Sequence, residues 1–249
     1  VNGNCIEAVD FVPARSGLEP LTWNVPQGAV VCLLGREPQL RSAWLRALAG
    51  AEYPRAGTLS LLGRPLDTLD DRSWLALRRE VGLVTREAPL VSSMDALRNV
   101  MLPALYHGLG KRPEVEAQAR EWLSRLGFHG NEQLLPAYLS DEECRLVALA
   151  RALMLAPKLL LVDELLQGWH GNGLREVMPV VAQWCRESGT ALVHVTDDVA
   201  FVRAWADEIL FVAAPRPRVF QSWSAFHDAI DLGVQRYFSE FRNEAMAFD

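Results

Sequence analysis

The sequence predicts an α/β fold: a mostly parallel sheet core, an N-terminal antiparallel β region and an inserted α-helical subdomain. Three observations point there. Short, continuously apolar runs such as Ala29–Leu34, Leu159–Val162 and Ala191–Val193 have the character of strands buried on both faces. Helical patterns alternate with these runs, as a parallel sheet with crossover helices requires. Between Pro89 and Ala156 the spacing turns helical, with no convincing strand.

Taken in order, alternating stretches predict strands at Ile6–Val12 and Leu21–Val25, and a turn at Pro26-Gln27-Gly28 leads into Ala29–Leu34. Gly35 ends that strand, and Ser42–Ala49 follows with Leu45 and Leu48 on one helical face. Gly57–Leu62 with Gly63-Arg64-Pro65 reads as a strand and turn, Trp74–Arg79 as a short helix, and Val81–Val84 as a strand. Helices are expected over Asp95–Leu105, Glu114–Leu126 and Ser140–Leu155; Asp141 and Glu142 suit the dipole at the start of the last, and Pro157 stops it. The strand Leu159–Val162, a helix over Leu174–Glu187, the strand Ala191–Val195, a helix over Val199–Ala206 and a closing strand Ile209–Val212 follow. The tail from Ser224 to Phe241 is amphipathic. The expected organisation is one domain over 1–249, with the α/β core in 1–88 and 157–223, the helical subdomain in 89–156 and a C-terminal extension in 224–249.

Composition narrows the function. The 249 residues are 50% hydrophobic and 22% charged, ordinary for a globular protein that buries a substantial core. A net charge of -6 argues against a nucleic-acid partner, which usually meets a basic face. The apolar runs are too short to cross a bilayer, and Val1–Asp10 alternates like a strand where a leader would be basic and then apolar. Cys5, Cys32, Cys144 and Cys185 are scattered, with no C-x-x-C pair, and read as buried thiols in a reducing cytoplasm.

The decisive stretch is Leu139-Ser140-Asp141-Glu142-Glu143-Cys144-Arg145-Leu146-Val147-Ala148-Leu149-Ala150-Arg151-Ala152-Leu153, continuing through Pro157-Lys158 to Leu159-Leu160-Leu161-Val162-Asp163-Glu164. It resembles the signature helix and Walker B strand of ATP-binding cassette (ABC) transporter ATPases. Gly35 after a strand, Gly82-Leu83-Val84 before the helical insert, and Val195-Thr196-Asp197-Asp198 fall where that family places its other motifs. The resemblance implies a P-loop NTPase-like (RecA-like) core, Mg-ATP as cofactor, a homodimer or a heterodimer with another cassette ATPase, and a cytoplasmic chain held at the inner membrane face by an integral-membrane permease. The tail, with Phe226 and Val234-Gln235-Arg236-Tyr237-Phe238, is similar to the extension of cassettes serving Mce-type lipid transporters. Asn99–Tyr106 is equally similar to lipoprotein-release and efflux cassettes.

The motifs depart from the family pattern at named positions. A P-loop is G-x-x-x-x-G-K-[ST], with backbone N–H groups around the phosphates, Lys bridging them and the hydroxyl on Mg²⁺. Here it reads Gly35-Arg36-Glu37-Pro38-Gln39-Leu40-Arg41-Ser42. Leu40 stands where backbone approaches closely and glycine conformations are favoured, Pro38 removes a donor, and Arg41 replaces a compact ammonium with a planar fork. The simplest expectation is that Leu40 and Arg41 fill the vacated pocket. Of the Walker B pair, Asp163 would join Ser42 in the Mg²⁺ shell and Glu164 would polarise the attacking water. Leu165-Leu166-Gln167-Gly168-Trp169-His170 rewrites the next loop, Arg86 takes the place of the family's glutamine, and Asp197 that of its switch histidine, where a carboxylate repels phosphate. His194 is expected in the core, Phe11 likewise, and Pro13 falls near the adenine-stacking position. In the signature, Ser140 is kept while Asp141 and Glu142 replace glycines.

These departures favour a catalytically impaired scaffold or regulator docking a permease around Arg86 and Pro89–Tyr106. The retained Ser42, Asp163 and Glu164 favour the alternative, an ATP-hydrolysing transport subunit with unconventional motifs.

Overall fold

The computed structural model describes residues 3–14, 16–165 and 173–246. Two sheets organise them. The first is antiparallel, in the order β2-β1-β4-β5, built from β1 (Asn4–Val12), β2 (Leu21–Pro26), β4 (Ala56–Leu61) and β5 (Arg64–Pro65). The second has six strands in the order β10-β9-β3-β8-β7-β6: β3 (Val30–Leu34), β6 (Val81–Val84), β7 (Leu159–Asp163), β8 (Ala191–Val195), β9 (Glu208–Phe211) and β10 (Arg218–Phe220). All neighbours in it are parallel except β9 and β10.

The continuous apolar runs earn their length because both faces of this sheet are covered. Side chains alternate across a strand. Cys32, Leu34, Leu160, Val162, Leu192 and Ile209 therefore join one buried cluster, while Val31, Leu33, Leu161, Val193 and Leu210 join another. The first cluster also takes α3 (Ala96–Tyr106), α4 (Arg112–Arg125), α5 (Asp141–Leu153) and α6 (Gly173–Ser188). The second takes the antiparallel sheet and α1 (Pro38–Leu48). At its centre Trp44 is fully buried, tilted against Phe11 at 5.1 Å and edge-on to Trp23 at 5.9 Å between ring centroids. Phe11 is thus a core aromatic, as expected.

Three sequence expectations change. The sheet does not close on Ile209–Val212: β10 pairs beyond β9 and forms the edge. The tail is two helices, α8 (Trp223–His227) and α9 (Leu232–Met246); Asp231 starts the second by accepting N–H bonds from Gly233 and Val234. Helix α1 starts at Pro38, four residues ahead of the expected Ser42. Proline at the first helical position has φ preset and no N–H to lose, so Pro38 adds a turn to the helix. The remaining helices are α2 (Asp71–Glu80) and α7 (Val199–Trp205).

Candidate functional site

Parallel sheets gather their chemistry at the carboxyl ends of the strands, and four strands do so here. β3 ends at Leu34 and leads through Gly35 into α1, which carries Arg41 and Ser42; β6 is followed by Arg86, β7 by Glu164 and β8 by Asp197. Arg41, Arg86, Glu164 and Asp197, far apart in sequence, form one ion-pair network. The Arg41 guanidinium pairs with Glu164 and makes a forked contact with Asp197, its Nη1 2.8 Å from Oδ1 and 2.9 Å from Oδ2. Arg86 pairs with the other oxygen of Glu164. Tyr237, on α9, donates its hydroxyl to Asp197 Oδ1 at 3.4 Å.

The network is dry at its centre. The side chains of Arg41 and Glu164 are 4% and 3% exposed, against 35% for Arg86 and 42% for Asp197. Burial raises the Glu164 carboxyl from its ordinary value while Arg41 and Arg86 pull the other way, and burial likewise raises Asp163. Glu164 also carries a left-handed backbone, φ +40°, and its N–H donates to the Val195 carbonyl at 3.0 Å. A non-glycine residue pays a steric penalty in that region, and such strain concentrates at functional sites.

The P-loop segment is short. Gly35, Arg36 and Glu37 connect β3 to α1, and the N–H groups of Leu40 and Arg41 donate to the Glu37 carbonyl at 3.0 and 3.3 Å. Leu40 and Arg41 are buried. The expected backbone strain at Leu40 is absent, because the residue sits inside α1 with an ordinary helical φ. Gly35 has a reason to be glycine that needs no ligand: a Cβ there would lie 2.3 Å from the Val212 carbonyl oxygen. Asp197, expected to repel phosphate, is paired with Arg41.

Ser42 and Asp163 are half-buried, and among the described residues no group of three His, Cys, Asp or Glu side chains is placed to hold a metal alone. Ser140 is exposed and caps α5: it accepts the Glu143 N–H at 3.2 Å, and Glu143 returns a carboxylate to the Ser140 N–H at 2.8 Å. Asp141 and Glu142 are exposed in the first turn of that helix. His194 lies buried in β8, edge-on to Phe201 at 5.2 Å, and so belongs to the core. Pro13 is buried. The rewritten loop from Leu166 to His170 lies outside the described residues. Sequence reasoning missed the pairing of Arg41 with Asp197, for which their opposite charges were the available signal, and missed Tyr237, for which there was none.

The ABC transporter family model matches residues 18–167, which hold this entire arrangement except Asp197 and Tyr237. The chain belongs to the ABC transporter family. Similar curated proteins are the methionine import ATP-binding proteins MetN of Mesorhizobium japonicum (30% identical, covering 85% of this chain and 58% of the relative) and MetN 1 of Acinetobacter baylyi (26%, covering 89% and 62%). The cassette here thus spans about three-fifths of those relatives. Among solved structures it resembles the dimeric cassette MJ0796 in a post-hydrolysis state bound to ADP and phosphate (TM-score 0.79, 22% identical, covering 87% of this chain and 98% of that one). It also resembles cbiO1 of Clostridium perfringens, part of the transporter complex cbiONQ (TM-score 0.78, 21% identical, covering 90% and 91%). These structures share the cassette's α/β P-loop NTPase fold. Relatives named for methionine import give no support to the expected lipid-transport group.

The family implies Mg-ATP, and the residues fit it in part. Ser42, Asp163 and Glu164 supply the oxygen chemistry that a magnesium–phosphate group takes. In this conformation the phosphate cradle does not fit, because the guanidinium and two of the amides that would receive oxygens are bonded within the chain.

Proposed function

We propose that this cassette is the nucleotide-binding subunit of a membrane transport system, coupling an ATP-dependent cycle to an integral-membrane permease at the inner face of the membrane. The observation that carries the proposal is Glu164. It follows β7 directly, has a left-handed backbone, and pairs its carboxylate with Arg41 of α1, the helix that follows the P-loop segment. The names of the relatives, all ATP-binding proteins of an import system, support ATP use over its loss. Their substrate, methionine, makes a small-molecule importer the leading class, and pairing with a second cassette follows from the same kinship.

The docking face we assign to the permease is the surface around Arg86, which is 35% exposed, and the helical insert from Pro89 to Tyr106. Within that insert Leu105 and Tyr106 are exposed, at 39% and 81%. No helix among the described residues is long and apolar enough to cross a membrane, so attachment runs through a partner in this reading.

A second reading, a non-hydrolysing scaffold, is favoured by one observation: two guanidiniums hold the carboxylate that would polarise water. Titration of the purified chain with Mg-ATP separates the two. Micromolar binding, with phosphate release abolished by Glu164→Gln, is the expected result. Saturating ATP that neither binds nor raises the melting temperature would overturn it, since a ligand selective for the native state must stabilise it.

A further inference from the structure

A cassette that keeps Ser42, Asp163 and Glu164 has its cationic centre already occupied. Guanidinium forks match carboxylates and phosphates with the same parallel N–H geometry. Arg41 stands where the family places its phosphate-bridging lysine, and its two terminal nitrogens are taken separately, Nη2 by Glu164 and Nη1 by both oxygens of Asp197. Arg86 holds the second oxygen of Glu164, and Tyr237 reaches in from the last described helix to hold Asp197.

We propose that Glu164 and Asp197 act as internal stand-ins for nucleotide phosphate oxygens, so that the resting cassette holds its own site shut until an incoming polyphosphate displaces them from Arg41. The proposal rests on the ATP-using reading and deepens it.

Three features argue that this is a closure and not a loose surface pairing. The shared partners are nearly dry, so the pairing is little screened by solvent or salt. The backbone takes part: the N–H groups of Leu40 and Arg41, which a P-loop would turn toward phosphate, donate to Glu37. The charges oppose a ligand as they stand, because Arg41 and Arg86 face three carboxylates, Asp163, Glu164 and Asp197, so the cluster carries one more negative than positive group. The closure is also displaceable. Arg41 Nε is buried without a hydrogen-bond partner among the described residues, so the fork is not fully satisfied by the two carboxylates. Asp197 is 42% exposed, so its carboxylate is rehydrated once it leaves Arg41.

A closed state lowers apparent affinity by the fraction of molecules that are open, so weakening the closure tightens binding without adding a contact to the ligand. The test uses the full chain and a fluorescent ATP analogue with Mg²⁺. Asp197→Ala is expected to tighten binding by at least about tenfold, the factor corresponding to one charged hydrogen bond. Glu37→Gln removes an equal charge from the exposed start of α1, where the carboxylate forms no ion pair with Arg41 among the described residues and the backbone bond to Arg41 is kept, and is expected to give a clearly smaller gain. Equal gains from the two variants, or no gain from Asp197→Ala, would overturn the closure and leave ATP binding itself untouched. If Asp197→Ala does not fold, Asp197→Asn replaces it. A nucleotide-free measurement runs alongside: melting temperatures of Arg41→Met, Asp197→Asn and the double variant. The double variant is expected to lose less than the sum of the single losses. Additive losses would overturn the pairing. Non-additive losses with no ATP binding in any variant would keep the internal pairing and discard the ATP-using reading.

Discussion

His194 makes the stability of this fold sensitive to mild acid. The imidazole sits in β8 with its ring fully buried, and neither nitrogen has a hydrogen-bond partner among the described residues. Burial pushes its pKa from 6.5 down to about 4, against weaker opposite pulls from the Val162 backbone and Asp198. A histidine kept neutral in the folded state, but free to protonate in the unfolded one, stabilises the fold fully above pH 6.5. As pH falls from 6.5 towards 4, the unfolded chain takes up a proton that the folded chain refuses, and stability drops. At about 1.4 kcal/mol per pH unit, the loss across that window is about 3 kcal/mol. The assay is denaturant unfolding at pH 7.5 and pH 4.5 for the wild type and for His194→Leu, which keeps the apolar volume and removes the proton site. Carboxylates such as Glu80, held below its ordinary value with its partners Lys158 and Arg64, also titrate in acid, so the quantity compared is the difference between the two proteins. His194→Leu is expected to lose about 3 kcal/mol less than the wild type on acidification. Parallel losses in the two proteins would refute the account.

Two further outcomes follow from burial. Asn99 is fully buried on α3, where it accepts the Val91 N–H at 2.8 Å and donates to the carbonyls of Val91, Met94 and Asp95; Asn99→Ala is expected to cost about 3 kcal/mol, read as a fall in melting temperature, and a change under about 0.5 kcal/mol would show that the 91–95 loop is held by something else. Burial raises the thiols of Cys5 and Cys185 to about 12 and that of Cys32 further still, so iodoacetamide at pH 8 is expected to leave all three unmodified in the native chain and to label half-buried Cys144 first, as read by mass spectrometry.

The strand and helix order was readable because each buried strand is a short apolar run and each helix shows its spacing. What escaped has local causes. β10 is three residues, Arg218–Phe220, set just after Pro215 and Pro217, where strand signals are weakest. The start of α1 depended on taking Pro38 as a helix opener and not as a loop residue. The site was half readable: Asp163 and Glu164 close a recognisable strand, but Arg41 and Asp197 are 156 residues apart and no periodicity links them. Reading each departure singly made Asp197 a repulsion; reading the two together shows complementary charges. Tyr237 could not be found by pattern, because an aromatic residue in an amphipathic tail has the same spacing whether it packs or donates a hydrogen bond.

The early start of α1 bears on any attempt to convert this cassette into one with ordinary motifs. The amides of Leu40 and Arg41 are hydrogen-bonded to the Glu37 carbonyl as the opening turn of a helix. Exchanging Arg41 for lysine changes a side chain and leaves that turn wound. Recovering a phosphate nest therefore requires unwinding backbone as well as changing charge, and a glycine at position 40 matters more for letting the helix start later than for making room. A designer would replace the Glu37–Leu40 segment as a unit, with circular dichroism reporting the loss of one turn.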